Sequence, residues 1–349
     1  MRTRTYKETY SQLSSLFPYA DTWAWYGVLM AIVLALPWLV PTYIFAYVTL
    51  VLIAVIGAVG LNIVTGTAGL ISLGQAGFLA IGAYTTGILT TSYGWGLASA
   101  MLASGVASAA ASLLVGIPSL RLKGLYLAIT TLAFSIIVVH LINDADSLTG
   151  GSSGLPVRRP DLFGVVPMRS QMAMYFLSLA VAVLVILATL NLLRCRVGRA
   201  WAALHDYDIA ATLMGINLVR YKLLAFAVSA FIVGLAGSLM ALNIRYLNTD
   251  SFGLILSIEA IAMIIVGGLG SVRGAVLGAI LITLLPDLSR WVLGQFGSFT
   301  GSLASGSAAE IKGIIYALVI MFFLRMEPEG LNHQWKRIKR FWSEWPYSH

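Results

Sequence analysis

Runs of about 20 apolar residues recur along the chain, divided by short polar segments. A helix rises about 1.5 Å per residue, so a run of about 20 residues crosses about 30 Å of hydrocarbon. Ten segments qualify, near residues 23–40, 42–64, 70–91, 96–117, 124–142, 171–193, 223–242, 256–269, 274–293 and 311–325. The runs are continuous rather than alternating, which excludes barrel strands. Lipid offers no water to unpaired backbone groups, so helices are the remaining way across. The third and eighth runs are rich in Gly. Gly-rich breaks open both spans 2–5 and spans 7–10, a weak two-fold echo.

Composition sharpens this pattern. The 349 residues are 59% hydrophobic and 10% charged, with a mean hydropathy of +0.87. Soluble domains carry about 25% charged residues. A soluble globule of this size has a large surface to cover, and this chain lacks the polar side chains to cover it. An ordinary cytosolic enzyme, a secreted domain, a disordered tail and a coiled coil are excluded. The expected class is an all-α integral membrane protein of about ten spans. Its expected parts are a polar segment 1–22, a transmembrane domain 23–325 and a basic, aromatic tail 326–349. The first 22 residues are too polar for a signal-peptide core, so the first apolar run reads as a retained span.

Charge sets the expected orientation. With the N-terminus inside, sixteen of the 22 Lys and Arg fall on the inner side. Only Arg158, Arg159, Arg169, Arg245, Arg290 and Lys312 fall outside. The bias favours both termini inside. Segment 143–170 then forms an external loop, and 194–222 the longest internal one. The net charge of +8 reflects this retention rather than nucleic-acid binding, since no aromatic-and-basic module is present. A single cysteine, Cys195, can build neither an internal disulfide nor a metal cluster.

Candidate chemistry is sparse. There is no Gly-Lys pair for a phosphate-cradling loop and no His-Glu-x-x-His. Gly150-Gly151-Ser152-Ser153-Gly154 matches the hydrolase pattern G-x-S-x-G, but it falls in a Gly/Ser stretch with no external His after it. It reads as a flexible loop. Glu259, His140, Asp287 and Arg290 are the main ionisable groups near the membrane interior. Asp287 and Arg290 are three apart, which suits a mutual pair. Glu259 either caps backbone or lines a pathway. So few buried charges argue against a proton-coupled carrier.

Two stretches are informative. Residues 60–77 hold Gly60, Gly66, Gly69, Gly74 and Gly77 together with Asn62, Thr65, Thr67, Ser72 and Gln75. Gly costs about 1 kcal/mol against Ala in a helix interior. Irregular backbone at membrane depth persists only beside protein or a water-filled cavity. The stretch therefore reads either as a broken helix lining a path or as a tight helix crossing. For the path, Asn62, Thr65, Gly66, Gly69, Ser72, Gln75, Gly77 and Glu259 are the candidates. The second stretch is 198–215, where Ala203, Tyr207, Ala210, Ala211 and Met214 define one apolar face of a short helix closed by Gly215. Its polar side carries Asp206 and Asp208, which anionic lipid repels, so a groove on a cytosolic protein suits it better than the membrane surface. The two stretches are expected to lie apart.

These stretches carry a resemblance. Residues 60–84 (GLNIVTGTAGLISLGQAGFLAIGAY), 120–134 (LRLKGLYLAITTLAF), 149–155 (TGGSSGL), 198–226 (GRAWAALHDYDIAATLMGINLVRYKLLAF), 266–278 (VGGLGSVRGAVLG) and Glu329-Gly330-Leu331 together resemble the M-type (LivM) permease subunits of branched-chain amino acid ABC importers. The resemblance covers residues 45–331. It implies a ten-helical, type II-like importer permease in a bacterial inner membrane. It also implies a related second permease as heterodimer partner, two cytosolic ATPases that use the ATP, and a periplasmic or surface binding protein. This chain would hold no cofactor. Segment 198–215 would be the coupling helix, with Gly198, Arg199, Ala203, His205, Asp206, Tyr207, Ala210, Ala211 and Gly215 at the ATPase contact. The family usually has Arg-Glu where His205-Asp206 stand, and often an acidic residue at Ser153, Trp at Arg273 and Pro at Ala275. Import of urea or short amides, or a stand-alone carrier or channel, are the competing expectations.

Overall fold

The computed structural model describes residues 20–39, 41–119, 122, 124–161, 170–295 and 330–335, and the single positions 318, 321, 325 and 337. Most of the tenth expected span, the segment 1–19 and most of the tail lie outside the described residues, as do the side chains of Asp287 and Arg290.

The described chain is almost wholly helical. In order come α1 (Ala20–Leu39), α2 (Thr42–Asn62), α3 (Gln75–Thr91), α4 (Leu97–Ser119), α5 (Leu125–Asp144), α6 (Gln171–Arg194), α7 (Arg196–Asp206), α8 (Asp208–Leu213), α9 (Leu218–Ile244), α10 (Leu254–Gly267) and α11 (Val272–Gln295). Among the described residues, six stretches are long and apolar enough to cross a membrane: Ile44–Thr67, Leu97–Ser119, Leu125–Asp144, Gln171–Arg194, Leu218–Ile244 and Thr249–Gly267. Gly27–Trp38 and Val272–Pro286 are shorter apolar helices. Most expected span limits agree with a helix to within a few residues. The third does not: its helix starts at Gln75 rather than at 70, because the Gly-rich residues before it are not helical.

Local chemistry sets several ends. The Ser170 hydroxyl accepts from the Ala173 N–H at the start of α6, 3.1 Å, and Asn217 accepts from Arg220 at the start of α9, 3.2 Å. Both satisfy a donor that has no partner within the helix.

Helix α9 is the central element and packs on α2, α3 and α4. Small residues bring these backbones together. A methyl on Gly82 would meet the Gly234 backbone, and one on Gly237 would meet the Leu79 carbonyl. Ser108 Oγ donates to the Phe78 carbonyl at 3.1 Å and Ser104 Oγ to that of Gly234 at 3.3 Å. Lipid tails are as apolar as Leu, so helices in a bilayer associate through such close packing and polar contacts. The α10–α11 pair repeats the device, with Gly278 against the Met263 carbonyl.

The expected flexible loop is instead folded through residue 161. Thr149 Oγ1 donates to the Ile142 carbonyl, 2.7 Å. Gly150, Gly151 and Gly154 take left-handed conformations. Two short strands, β1 (Leu155–Pro156) and β2 (Tyr246–Leu247), pair antiparallel. The Val157 N–H donates to the Arg245 carbonyl, 2.8 Å, and the Tyr246 hydroxyl to that of Ser153. Arg159 Nε donates to the Leu242 carbonyl at 2.6 Å, which places its charge on the C-terminal carbonyls of α9. Burial, with Arg245 nearby, pushes the Arg159 guanidinium down to about 10. Ser152 sits exposed in a tight 3-10 turn, not on the strand–turn–helix that a nucleophilic serine requires.

Candidate functional site

The Gly-rich stretch is a broken helix. After Asn62 the chain makes a π-helical turn, Ile63–Thr67, then runs without regular structure to Gly74. π turns are rare and occur often at functional sites. Its polar groups hold the irregular backbone in place. Asn62 Oδ1 accepts from the Gly270 N–H, 3.0 Å. Thr65 Oγ1 donates to the Leu70 carbonyl, 3.3 Å. Ser72 Oγ accepts from Gly74, 3.4 Å. From outside the stretch, Thr131 Oγ1 accepts from Leu73, 2.9 Å, and Ser257 Oγ from Ala76, 3.0 Å. The two Gly-rich breaks of the sequence touch, since a methyl on Gly66 would meet the Gly270 backbone. Gly77 lies 2.9 Å, measured from an added methyl, from Ser135 Cα on α5.

Among the sequence-derived path residues, Gln75 and Glu259 share an open groove of about 190 Å³. Gln75 opens α3, is buried, and donates from Nε2 to the Gly57 carbonyl of α2, 3.1 Å. Glu259 on α10 is half-buried. The rest of the groove is mainly apolar, with Ile53, Leu79, Met240 and Met263 among its walls. Thr283 on α11 also lines it, and its hydroxyl is buried without a hydrogen-bond partner. Sequence reading missed Thr283, because a Thr inside an apolar run carries no periodic signal.

The segment after α6 is two helices, not one. Tyr207 is extended (φ −153°, ψ 105°) and divides α7 from α8. This breaks the single apolar face read from the sequence. Helix α7 buries Gly198, Ala200, Trp201 and Leu204, and Trp201 Nε1 donates to the Tyr221 carbonyl, 2.9 Å. Gly198 has no room for a side chain against Leu193. Arg199 Nη1 donates to the Arg194 carbonyl and so caps α6, 3.1 Å. Ala203 is half-buried, while Asp206 and Ala210 are exposed. On α8 only Ala211 is buried. Tyr207, Ile209, Leu213 and Met214 stand exposed as an apolar patch. Ile209 and Leu213 were not anticipated; their i, i+4 spacing fits a helix that starts at Asp208, not at 198. Gly215 closes α8 as expected, at φ +83°. Its N–H donates to Thr212 at 2.9 Å and that of Ile216 to Ala211 at 3.0 Å, the paired bonds of a Schellman closure.

The broken helix and this segment are in contact, contrary to expectation. Gly69 (φ +70°) lies under the His205 ring, and a methyl there would stand 3.3 Å from His205 Cα. An open cavity of about 600 Å³ lies beside them, lined by Gly69, His205, Asp206, Asp208, Leu213 and Lys222 among others. Across it, Lys222 Nζ of α9 pairs with Asp208 Oδ2 of α8 at 3.0 Å. Lys222 is only 7% exposed, so the pair satisfies a cation that could not remain there alone.

Residues 43–324 match the family model described as "Branched-chain amino acid transport system / permease component". The chain belongs to this family. The permease is 36% identical over 285 residues to the high-affinity branched-chain amino acid transport system permease protein LivM of Salmonella typhimurium, covering 75% of this chain and 67% of that protein. It is 35% identical, with the same coverage, to LivM of Escherichia coli K12. The LivH permease protein of Escherichia coli K12 is 28% identical over 137 residues, 39% of each chain. No solved structure matches the permease. The permease is therefore a multi-pass, all-α membrane subunit of an ABC importer.

Proposed function

We propose that the permease carries branched-chain amino acids across a bacterial inner membrane as one half of a heterodimeric pathway. The observation that carries this reading is the match to the two LivM proteins over three quarters of the chain. The partial match to LivH supports a second, related permease as the partner. Two cytosolic ATPases and a binding protein outside complete the importer, and ATP is used by the partner subunits. Ten spans place both termini, 1–22 and 326–349, in the cytoplasm.

The pathway runs by Gln75 and Glu259. An apolar groove with a few convergent polar groups suits a small amino acid with an aliphatic side chain. Asn62, Thr65, Gly66 and Ser72 hold the break beside the path, and Gly77 sets the α3–α5 spacing. Segment α7–α8 meets the ATPase, with Tyr207, Ile209, Leu213 and Met214 as the contact.

Reconstitution with the partner proteins and a panel of labelled amino acids and urea tests the substrate. Uptake of leucine, isoleucine and valine is expected; uptake of urea alone would overturn the assignment. Orientation is tested in intact cells with an impermeant thiol reagent. Native Cys195, which is exposed, should stay unlabelled, and Ser152→Cys in a Cys195→Ser background should label. The reverse pattern would sink the ten-span arrangement.

A further inference from the structure

The contact between Gly69 and His205 is built in an unusual way. On one side is the His205 ring at the end of α7. On the other is bare backbone, because Gly69 is left-handed and an added methyl would press within 2.5 Å of His205 Cδ2. A side chain that receives a push can change rotamer and absorb it. Backbone without a side chain has no such freedom, and packed groups transmit strain. The irregular stretch that receives the contact runs on through Gly74 to Gln75. It is fastened on the way at Leu73, by Thr131 Oγ1 at 2.9 Å, and just beyond Gln75 at Ala76, by Ser257 Oγ at 3.0 Å.

The other side of the contact borders open space. The cavity of about 600 Å³ lies between α8 and the break beside Gly69, lined by Gly69, Leu70, His205, Asp208 and Leu213 among others. Two polar contacts tie the segment to the start of α9: Trp201 to the Tyr221 carbonyl, 2.9 Å, and Asp208 to Lys222, 3.0 Å. Tyr207, extended between two helices, lets α7 and α8 change angle without breaking either. A segment tethered to α9, with space beneath it, reaches the broken helix through His205.

We propose that the His205–Gly69 contact is the joint through which movement of α7–α8 enters the broken helix and reaches Gln75 in the groove. His205 is thus a positioning residue for transport. The proposal rests on reading α7–α8 as the ATPase-coupling segment.

The test uses the permease assembled with its partner permease and ATPases in liposomes, measuring complex yield and substrate taken up per ATP hydrolysed. Three variants are compared: His205→Ala, which opens a gap; Gly69→Ala, which makes a clash; and the double variant, in which the two errors oppose each other at one contact. Touching residues show interaction energies large enough for about a tenfold effect. Each single variant is expected to lower uptake per ATP by about tenfold, and the double variant to recover most of it. His205 is at an exposed position, so its variant reports even if Gly69→Ala accumulates poorly. Unchanged uptake per ATP in His205→Ala, or a double variant no better than the worse single one, would overturn the joint. The underlying reading is judged separately. If Ile209→Asp with Leu213→Asp leaves ATPase co-purification intact, the coupling segment itself is misassigned and the joint falls with it.

Discussion

The two polar ends of the helical bundle are built on opposite plans. At one end, residues 144–161 are sewn to α5, to α9 and to the strand after α9. The Thr149 hydroxyl, the β1–β2 pairing and Arg159 all bond to main-chain groups. At the other end, α7 and α8 bond to α9 through Trp201 and Asp208, border a cavity of about 600 Å³, and present Tyr207, Ile209, Leu213 and Met214 outward. The first end satisfies its own backbone and leaves little free to move. The second keeps an unfilled space and an uncovered patch, which suits a surface completed by a partner. An importer subunit needs both, a firm frame and a part that yields to its motor.

Substitutions sharpen this contrast, beginning with the largest expected effect. At the sewn end, Gly151→Val places a β-branched side chain at φ +50° and against Asp146 Oδ1. A loss of about 3 kcal/mol or more is expected, seen as failure to accumulate or a lower Tm in detergent. A normal Tm would show that this end is not the firm one. Arg159→Met removes the hydrogen bond to Leu242 and the longer one to Asn243. It should cost about 1–3 kcal/mol in the same assay without releasing the ATPases. At the other end the pattern reverses. Ile209→Asp with Leu213→Asp should weaken ATPase association by about tenfold or more, with stability unchanged to within ~0.5 kcal/mol. If the Tm falls and association holds, the patch packs inward rather than onto a partner. The smallest effect is expected for Lys222→Met, which removes the cation of a pair whose Asp208 is 22% exposed. A cost of about 1 kcal/mol or less fits a partly wet carboxylate, and uptake should fall more than Tm does. A loss of several kcal/mol would mark Lys222 as part of the frame.

Particular residues show how far the sequence could be read. The spans follow from apolar runs, and Gly215 followed from its place after a periodic segment. Residues 60–77 could be read as a broken helix or as a tight crossing: the structure breaks the helix over 63–74, and the break also packs closely on Gly270. The single face over 198–215 failed because Tyr207 leaves the helical conformation. A helix period carried across a break assigns Ile209 and Leu213 to the wrong side. The Gly/Ser stretch 150–154 looked loose because Gly is permissive. Its left-handed glycines instead fit a turn held by Thr149 on one side and by the strand after α9 on the other.

The sequence by itself determined that this chain lives in lipid, that helices cross it, and that its motifs are those of an importer permease. Hydropathy and backbone satisfaction act on each segment alone, so each segment carries its own answer. Only the tertiary structure decided that Gln75 shares a groove with Glu259, that Lys222 meets Asp208 and that Gly69 lies under His205. Those meetings depend on how helices cross at small residues, a property of pairs of surfaces that no single segment contains.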